Sequence, residues 1–267
     1  MILASASSVG LTLAISATVA YGVSASGAER LGLRSARTAV WLAWLLHGAL
    51  LAWSLLGVEP HFGFAPALSM TAWLVGAVYA IESHVFPQLK IRWALSALGA
   101  GAVMLSVLFP GSPLHATASP WLPLHWAFGI ASYGMFAVAV LHAWLMTRAE
   151  DRIRHAADPH SGMPLLTMER LTFRFVGAGF LLLSATLLVA VMFSSQLYGA
   201  ATPLRWDHKA AFSVLSWLTF AVLLLGRARF GWRGRRAVRG VYMGSALLLL
   251  AYVGSRFVME IVLGRPV

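Results

Sequence analysis

The chain contains no cysteine among its 267 residues, which excludes disulfides and thiolate metal ligands. A transition metal here would have to use histidine, methionine or carboxylate. Charge is also scarce. Charged residues make up 11% of the chain, against roughly 25% in an ordinary soluble domain. The nine acids are spread mostly through loops and none lies mid-segment, so a paired-carboxylate site is not expected. No phosphate loop or nucleotide-binding glycine fingerprint with its strand and helix context occurs.

What is present is hydrophobic: 59% of the residues. A membrane helix needs roughly 20 mainly apolar residues to cross about 30 Å of hydrocarbon. Repeated segments of that length predict an all-α, polytopic integral membrane bundle and a single transmembrane domain over 1–267. Because hydrocarbon satisfies no backbone group, spans are helices or strands of a closed barrel. These runs lack the period-2 alternation of barrel strands. Eight helices are predicted, at 2–23, 38–58, 66–86, 92–110, 122–147, 171–194, 209–226 and 239–262. The first has no basic stretch before its apolar run, so it is read as a mature helix and not a signal peptide. Gly177, Gly179, Gly99 and Gly101 are read as close-packing positions between helices.

The net charge of +11 is distributed by loop. Sixteen of the 20 Lys and Arg residues lie in or beside the loops after helices 1, 3, 5 and 7. The positive-inside rule puts these loops in the cytoplasm and both termini outside. The basicity therefore orients the chain and meets anionic lipid. Nucleic acid is not an expected partner, since the one stretch that mixes arginine with aromatics, GRARFGWRGRRAVRG at 226–240, reads as a loop anchor.

This orientation gives each histidine a depth. His125, in LPLHWAFGIASYG (122–134), opens helix 5, and His208, in WDHK (206–209), opens helix 7; both fall at the outer side. His115 and His61 belong to outer loops, while His84, His155 and His160 lie on the cytoplasmic side. His47 and His142 fall inside spans. Polar groups within a membrane are costly and tend to face a bundle interior or cavity, where they mark sites. Two of them also have a structural explanation, a wetted helix end for His125 and a hydrogen bond to a neighbouring helix for His142; His47 is harder to explain in that way. The candidates converge, however. His125 and His208 share their depth with Trp121, Trp126, Trp206 and Arg256. A haem takes axial imidazoles, flat aromatic walls and a cation for its propionates. Against this, the tryptophans are explained by an interfacial belt, Arg256 by an i,i+4 pair with Glu260, and Asp207 by capping helix 7.

Three stretches, LPLHWAFGIASYGMFAVAVLHAWL, WDHKAAFSVLSWLTFAVLL and GWRGRRAVRGVYMGSALLLLAYVGSR, resemble in order and spacing the carboxy-terminal half of the cytochrome c assembly family, which includes CcsA and CcmC. The likeness covers residues 120–260 as a CcsA-like core; residues 1–110 match only as additional spans. The YpjD/HemX branch is the nearest type. The resemblance implies a multi-pass protein of the bacterial inner membrane that handles haem at the outer face, with His125 in the place of an external axial ligand. The chain departs from the family where His208 stands in place of proline and where the second external histidine after the last helix is missing. His208 is a candidate substitute for that ligand, with Arg256 holding a propionate. His47 and His142 form a second, inner candidate site.

Two functions from different classes follow. One is haem binding or movement, stable or in passing, in support of cytochrome c maturation or haem homeostasis, with no covalent chemistry on a substrate and hence no enzyme. The other is a non-haem membrane adaptor acting through the basic cytoplasmic loops. A solute transporter is less supported, because no internal inverted repeat is evident.

Overall fold

The computed structural model describes residues 8–26, 33–57, 60–85, 92–113, 121–154, 164–194 and 207–264. Eight helices are found among them: α1 (Ser8–Ser26), α2 (Leu33–Leu56), α3 (Phe64–Val85), α4 (Arg92–Leu108), α5 (Trp121–Arg154), α6 (Leu165–Met192), α7 (His208–Phe230) and α8 (Gly234–Val262). Seven are long and apolar enough to cross a membrane, and α4 is the shorter one. At 1.5 Å per residue its 17 residues reach about 26 Å. Pro110 and Gly111 follow it, and Gly111 takes φ +86°, a backbone state that turns the chain into a short strand. That strand, β2 (Ser112–Pro113), pairs antiparallel with β1 (His61–Phe62). The bridge is an addition to the all-helical expectation. It requires close backbone approach, since a Cβ on Gly63 would come 2.7 Å from the Gly111 Cα.

The chain forms two compact units, Met1–His115 with Arg256–Val267, and Ala116–Ser255. In the first, α1 packs on α2 and α4, and α3 on α4 and α2. Small residues let these helices approach: Ala14, Ala17 and Ala43 are buried around Tyr21, Leu50 and Val103. Ser24 and Ser96 share a hydroxyl hydrogen bond of 2.8 Å. Trp44 of α2 and Trp73 of α3 stack at 4.6 Å, and each indole N–H donates to the other's carbonyl at 3.0 Å. Both polar handles of a partly buried tryptophan pair are thereby satisfied.

The second unit is a ring of four helices, α5 on α6, α6 on α7, α7 on α8 and α8 back on α5. Helices α5 and α7 face each other across the diagonal, where the buried rings of Phe136 and Phe220 stack at 3.9 Å. Two glycines make room for them: a Cβ on Gly179 would lie 2.9 Å from the Phe136 ring, and one on Gly244 would lie 2.7 Å from the Phe220 ring. Gly179 is thus a packing glycine as expected, while Gly177 and Gly101 have nothing near their missing Cβ. On the outer surfaces of both units, large apolar side chains such as Val19, Leu45, Leu181 and Leu225 stay exposed. Such a surface suits lipid and not water.

The helix ends follow local rules. Asp207 caps α7 by accepting from the Ala210 amide at 2.9 Å. Gly231 ends α7 in the left-handed conformation (φ 63°), as a C-terminal cap requires. Helix α5 runs on past the apolar stretch to Arg154, because TRAEDRIR consists mostly of good helix formers.

Candidate functional site

Contacts in the second unit give its helices their directions. His125 meets Thr186, Phe136 meets Gly179, and Ser216 meets Gly244, so neighbours run antiparallel and the diagonal pair α5 and α7 runs parallel. His125 lies eleven residues before Phe136 and His208 twelve before Phe220. At the α-helical rise both imidazoles therefore start about 16 to 18 Å from the stacked phenylalanines, at the same end of the unit. They thus share a level within this unit.

The two rings engage different neighbours. His125 is half-buried, and its Nδ1 lies 3.1 Å from the Thr186 carbonyl oxygen on α6. A carbonyl only accepts, so Nδ1 carries the proton and donates. The tautomer so fixed leaves the Nε2 lone pair available, the usual arrangement for a metal-binding imidazole oriented by a backbone carbonyl. One turn earlier on α5, Trp121 stacks on Phe193 at 3.9 Å and 10° between planes, a flat aromatic wall at the same end. Trp126 is half-buried beside His125 on α5. His208 is exposed and its Nε2 is hydrogen-bonded to the Ser255 hydroxyl of α8 at 2.9 Å. To bind a metal through Nε2 it would have to exchange that bond.

The remaining candidates sit as follows. Arg256 belongs to the first unit, where its Nη1 lies 3.4 Å from the Glu260 carboxylate, the i,i+4 pair anticipated from the sequence. A propionate would compete with that carboxylate. His47 is fully buried in the first unit. Its Nδ1 meets the Tyr21 hydroxyl at 3.1 Å and its Nε2 the Ser69 hydroxyl at 2.8 Å, so both ring nitrogens already carry hydrogen bonds. His142, in the second unit, is buried with its Nδ1 2.9 Å from the Val138 carbonyl. Trp206 lies outside the described residues, as do His115, His155 and His160. Among the described residues no group of three or more His, Cys, Asp or Glu is placed to hold a metal ion.

The opposite end of the same unit is cationic. Arg148, Arg152 and Arg154 on α5, Arg170 and Arg174 on α6, and Arg229, Arg233, Arg235, Arg236 and Arg239 around the α7–α8 corner are exposed. The corner itself is built: Trp232 fills the space that a Gly226 side chain would take, and Arg227 both pairs with the buried Glu169 at 2.7 Å and lies 3.6 Å over the Phe173 ring.

Sequence reasoning did not find Thr186, whose backbone carbonyl orients His125, because a carbonyl has no residue signature. It also missed Ser255, an unremarked serine 47 positions from His208.

A family model described as Cytochrome C assembly protein matches residues 35–263. An uncharacterized 28.8 kDa protein of Azospirillum brasilense is 32% identical over 226 residues, covering 80% of this chain and 82% of its own length. The inner membrane protein YpjD of Escherichia coli K12 is 30% identical over 150 residues, 55% of this chain and 56% of that protein. The cytochrome c biogenesis protein CcsA of Nostoc punctiforme is 28% identical over 202 residues, 70% of this chain and 55% of that one. The chain thus spans little more than half the length of the last two. No solved structure matches. With the family model extending over most of its length and through both histidine-bearing helix starts, this helical membrane chain belongs to the cytochrome c assembly protein family.

Proposed function

We propose that this protein is a multi-pass protein of the bacterial inner membrane that binds haem as cargo at its outer face, with His125 as an axial ligand. Family membership supports haem handling. The observation that carries the residue assignment is the 3.1 Å hydrogen bond from His125 Nδ1 to the Thr186 carbonyl, which presents Nε2 as the ligand atom. Haem, when bound, supplies the iron that imidazole coordinates. The work of the chain is to hold the imidazole in one tautomer, to offer the Trp121 and Phe193 wall to a flat macrocycle, and to keep water from it. His208 becomes the second ligand on exchanging its Ser255 bond. The orientation is supported by the arginines gathered at the other end of the unit; the positive-inside rule makes that end cytoplasmic, the histidine end external and both termini outside. Maturation or haem-homeostasis proteins are the partners this role implies.

The test is an absorption spectrum of protein purified from haem-replete cells, oxidised and reduced, beside His125→Ala and His208→Ala. A Soret band with sharp reduced bands that collapses in His125→Ala is expected. A spectrum that stays flat after haem is added overturns the reading. That result would favour an adaptor, for which the built corner displaying Arg229, Arg235, Arg236 and Arg239 is the supporting observation; substitutions there, and not at the histidines, would then abolish function.

A further inference from the structure

The last helix leaves the α register at Leu250–Gly254 and again at Val258–Val262. Residues Leu250–Gly254 form a π-helical turn, and the Ser255 amide bonds the Leu250 carbonyl five residues back. At this level the Tyr133 hydroxyl of α5 donates to the Leu248 carbonyl. The same hydroxyl is hydrogen-bonded to the backbone of Tyr252. In an uninterrupted α-helix the Tyr252 amide would itself bond the Leu248 carbonyl, four residues back. A phenol from a neighbouring helix thus stands at both ends of one rung of the main-chain ladder. Insertion of a side chain into that ladder is one of the few identifiable causes of helix distortion, and single π turns recur at functional sites.

The register has a chemical consequence. A π turn inserts one residue, so beyond it Ser255 takes the place that Gly254 would hold in an unbroken α-helix. Ser255 is buried and its hydroxyl is the group that meets His208 Nε2 at 2.9 Å. Without the extra residue His208 would face Gly254, which has no side chain to offer.

We propose that Tyr133 is a register latch: its hydroxyl, wedged between Leu248 and Tyr252, holds α8 in the π register and so places Ser255 against His208. Tyr133 is then a positioning residue for His208, acting from a third helix. Any effect on haem rests on the function proposed above, whereas the register does not.

The absence of native cysteine allows a direct test in the full-length protein in membranes, without haem. Cysteine pairs at positions 208 and 255, and at 208 and 254, are treated with a short bifunctional methanethiosulfonate and the intramolecular cross-link is quantified by mass spectrometry. With Tyr133 present the 208/255 pair is expected to exceed the 208/254 pair roughly fivefold or more, the ratio that one hydrogen bond's preference for a register sets. Tyr133→Phe, which keeps the ring and removes the hydroxyl, is expected to invert that order. An order unchanged by Tyr133→Phe, or a 208/254 pair that already dominates with Tyr133 present, overturns the proposal. A merely destabilising role would lower both yields together and would also overturn it. Should Tyr133→Phe fail to accumulate, deletion of Gly254 in that background removes the extra residue, and is expected to restore both accumulation and the cross-link from 208 to the serine position; failure of the deletion to rescue overturns the latch.

Discussion

Phe136 and Phe220 lie face to face, 3.9 Å between centroids and 5° between planes, across the diagonal of the four-helix unit. Each ring is seated on a glycine of another helix, Phe136 on Gly179 and Phe220 on Gly244. The pair is held on both sides, so neither ring can yield to a new methyl group without parting from the other.

Gly244→Ala is therefore expected to destabilise the protein by about 1–3 kcal/mol through overpacking. Gly177→Ala has nothing within 4 Å of the new methyl and is expected to be neutral or to stabilise by up to about 1 kcal/mol through helix propensity. Thermal unfolding in one detergent, followed for both variants, checks this. Equal shifts would mean that the stack does not constrain its glycine seats.

His47 satisfies Tyr21 and Ser69 at once. Replacing it with Phe leaves two hydroxyls without that partner in the protein interior, for an expected loss of about 2 kcal/mol or more, whereas Tyr21→Phe removes only one bond and is expected to cost about 1 kcal/mol. Stability measured alongside haem loading from the cytoplasmic side separates the roles. A His47 variant of normal stability that loses haem would make it a ligand and not a structural bridge.

Glu169 is bonded by Arg227 at 2.7 Å and approached by Arg233 at 3.6 Å, but the side chains of the two arginines are 28% and 68% exposed. Glu169→Gln breaks the better buried pair and is expected to destabilise by about 2 kcal/mol, well under the full value for a dry interior pair. Arg233→Gln is expected to change stability by less than about 0.5 kcal/mol, because water screens so exposed a contact. Comparable losses from both would show that the corner depends on the exposed arginine too.

Ser255 is hydrogen-bonded to His208 Nε2, the atom that the proposed function assigns to iron. Ser255→Ala is expected to raise haem affinity about fivefold, the equivalent of one hydrogen bond of about 1 kcal/mol. In a His208→Ala background the same change is expected to have no effect. Titration of haem into the four proteins of this cycle measures the coupling, and an equal gain in both backgrounds would remove His208 from the ligand set.

Features that depend on neighbours along the chain were legible in the sequence. Eight helices could be read from apolar runs because a backbone in hydrocarbon must satisfy its own hydrogen bonds. The Asp207 cap and the Arg256–Glu260 pair span three or four positions, the reach of one helical turn. The common level of His125 and His208 also followed, since depth along parallel helices is a matter of counting residues. Helix lengths were less well defined: α5 continues through charged residues that composition marked as loop, and α4 falls short.

What each histidine touches was decided only by tertiary structure. Thr186 lies 61 residues from His125 and Ser255 47 from His208, and an apolar helix can present any of its faces to a neighbour at nearly equal hydrophobic gain. The choice among them rests on where small residues admit large rings, as at Gly179 and Gly244. The phenol that meets α8 beside its Leu250–Gly254 π turn comes likewise from another helix, 115 residues before the carbonyl that it bonds. The sequence by itself determined that this chain is a bundle of membrane helices with His125 and His208 at two helix starts; the packing determined which atoms of those imidazoles are engaged, because a hydrogen-bond partner on another helix exists only once the helices have been brought together.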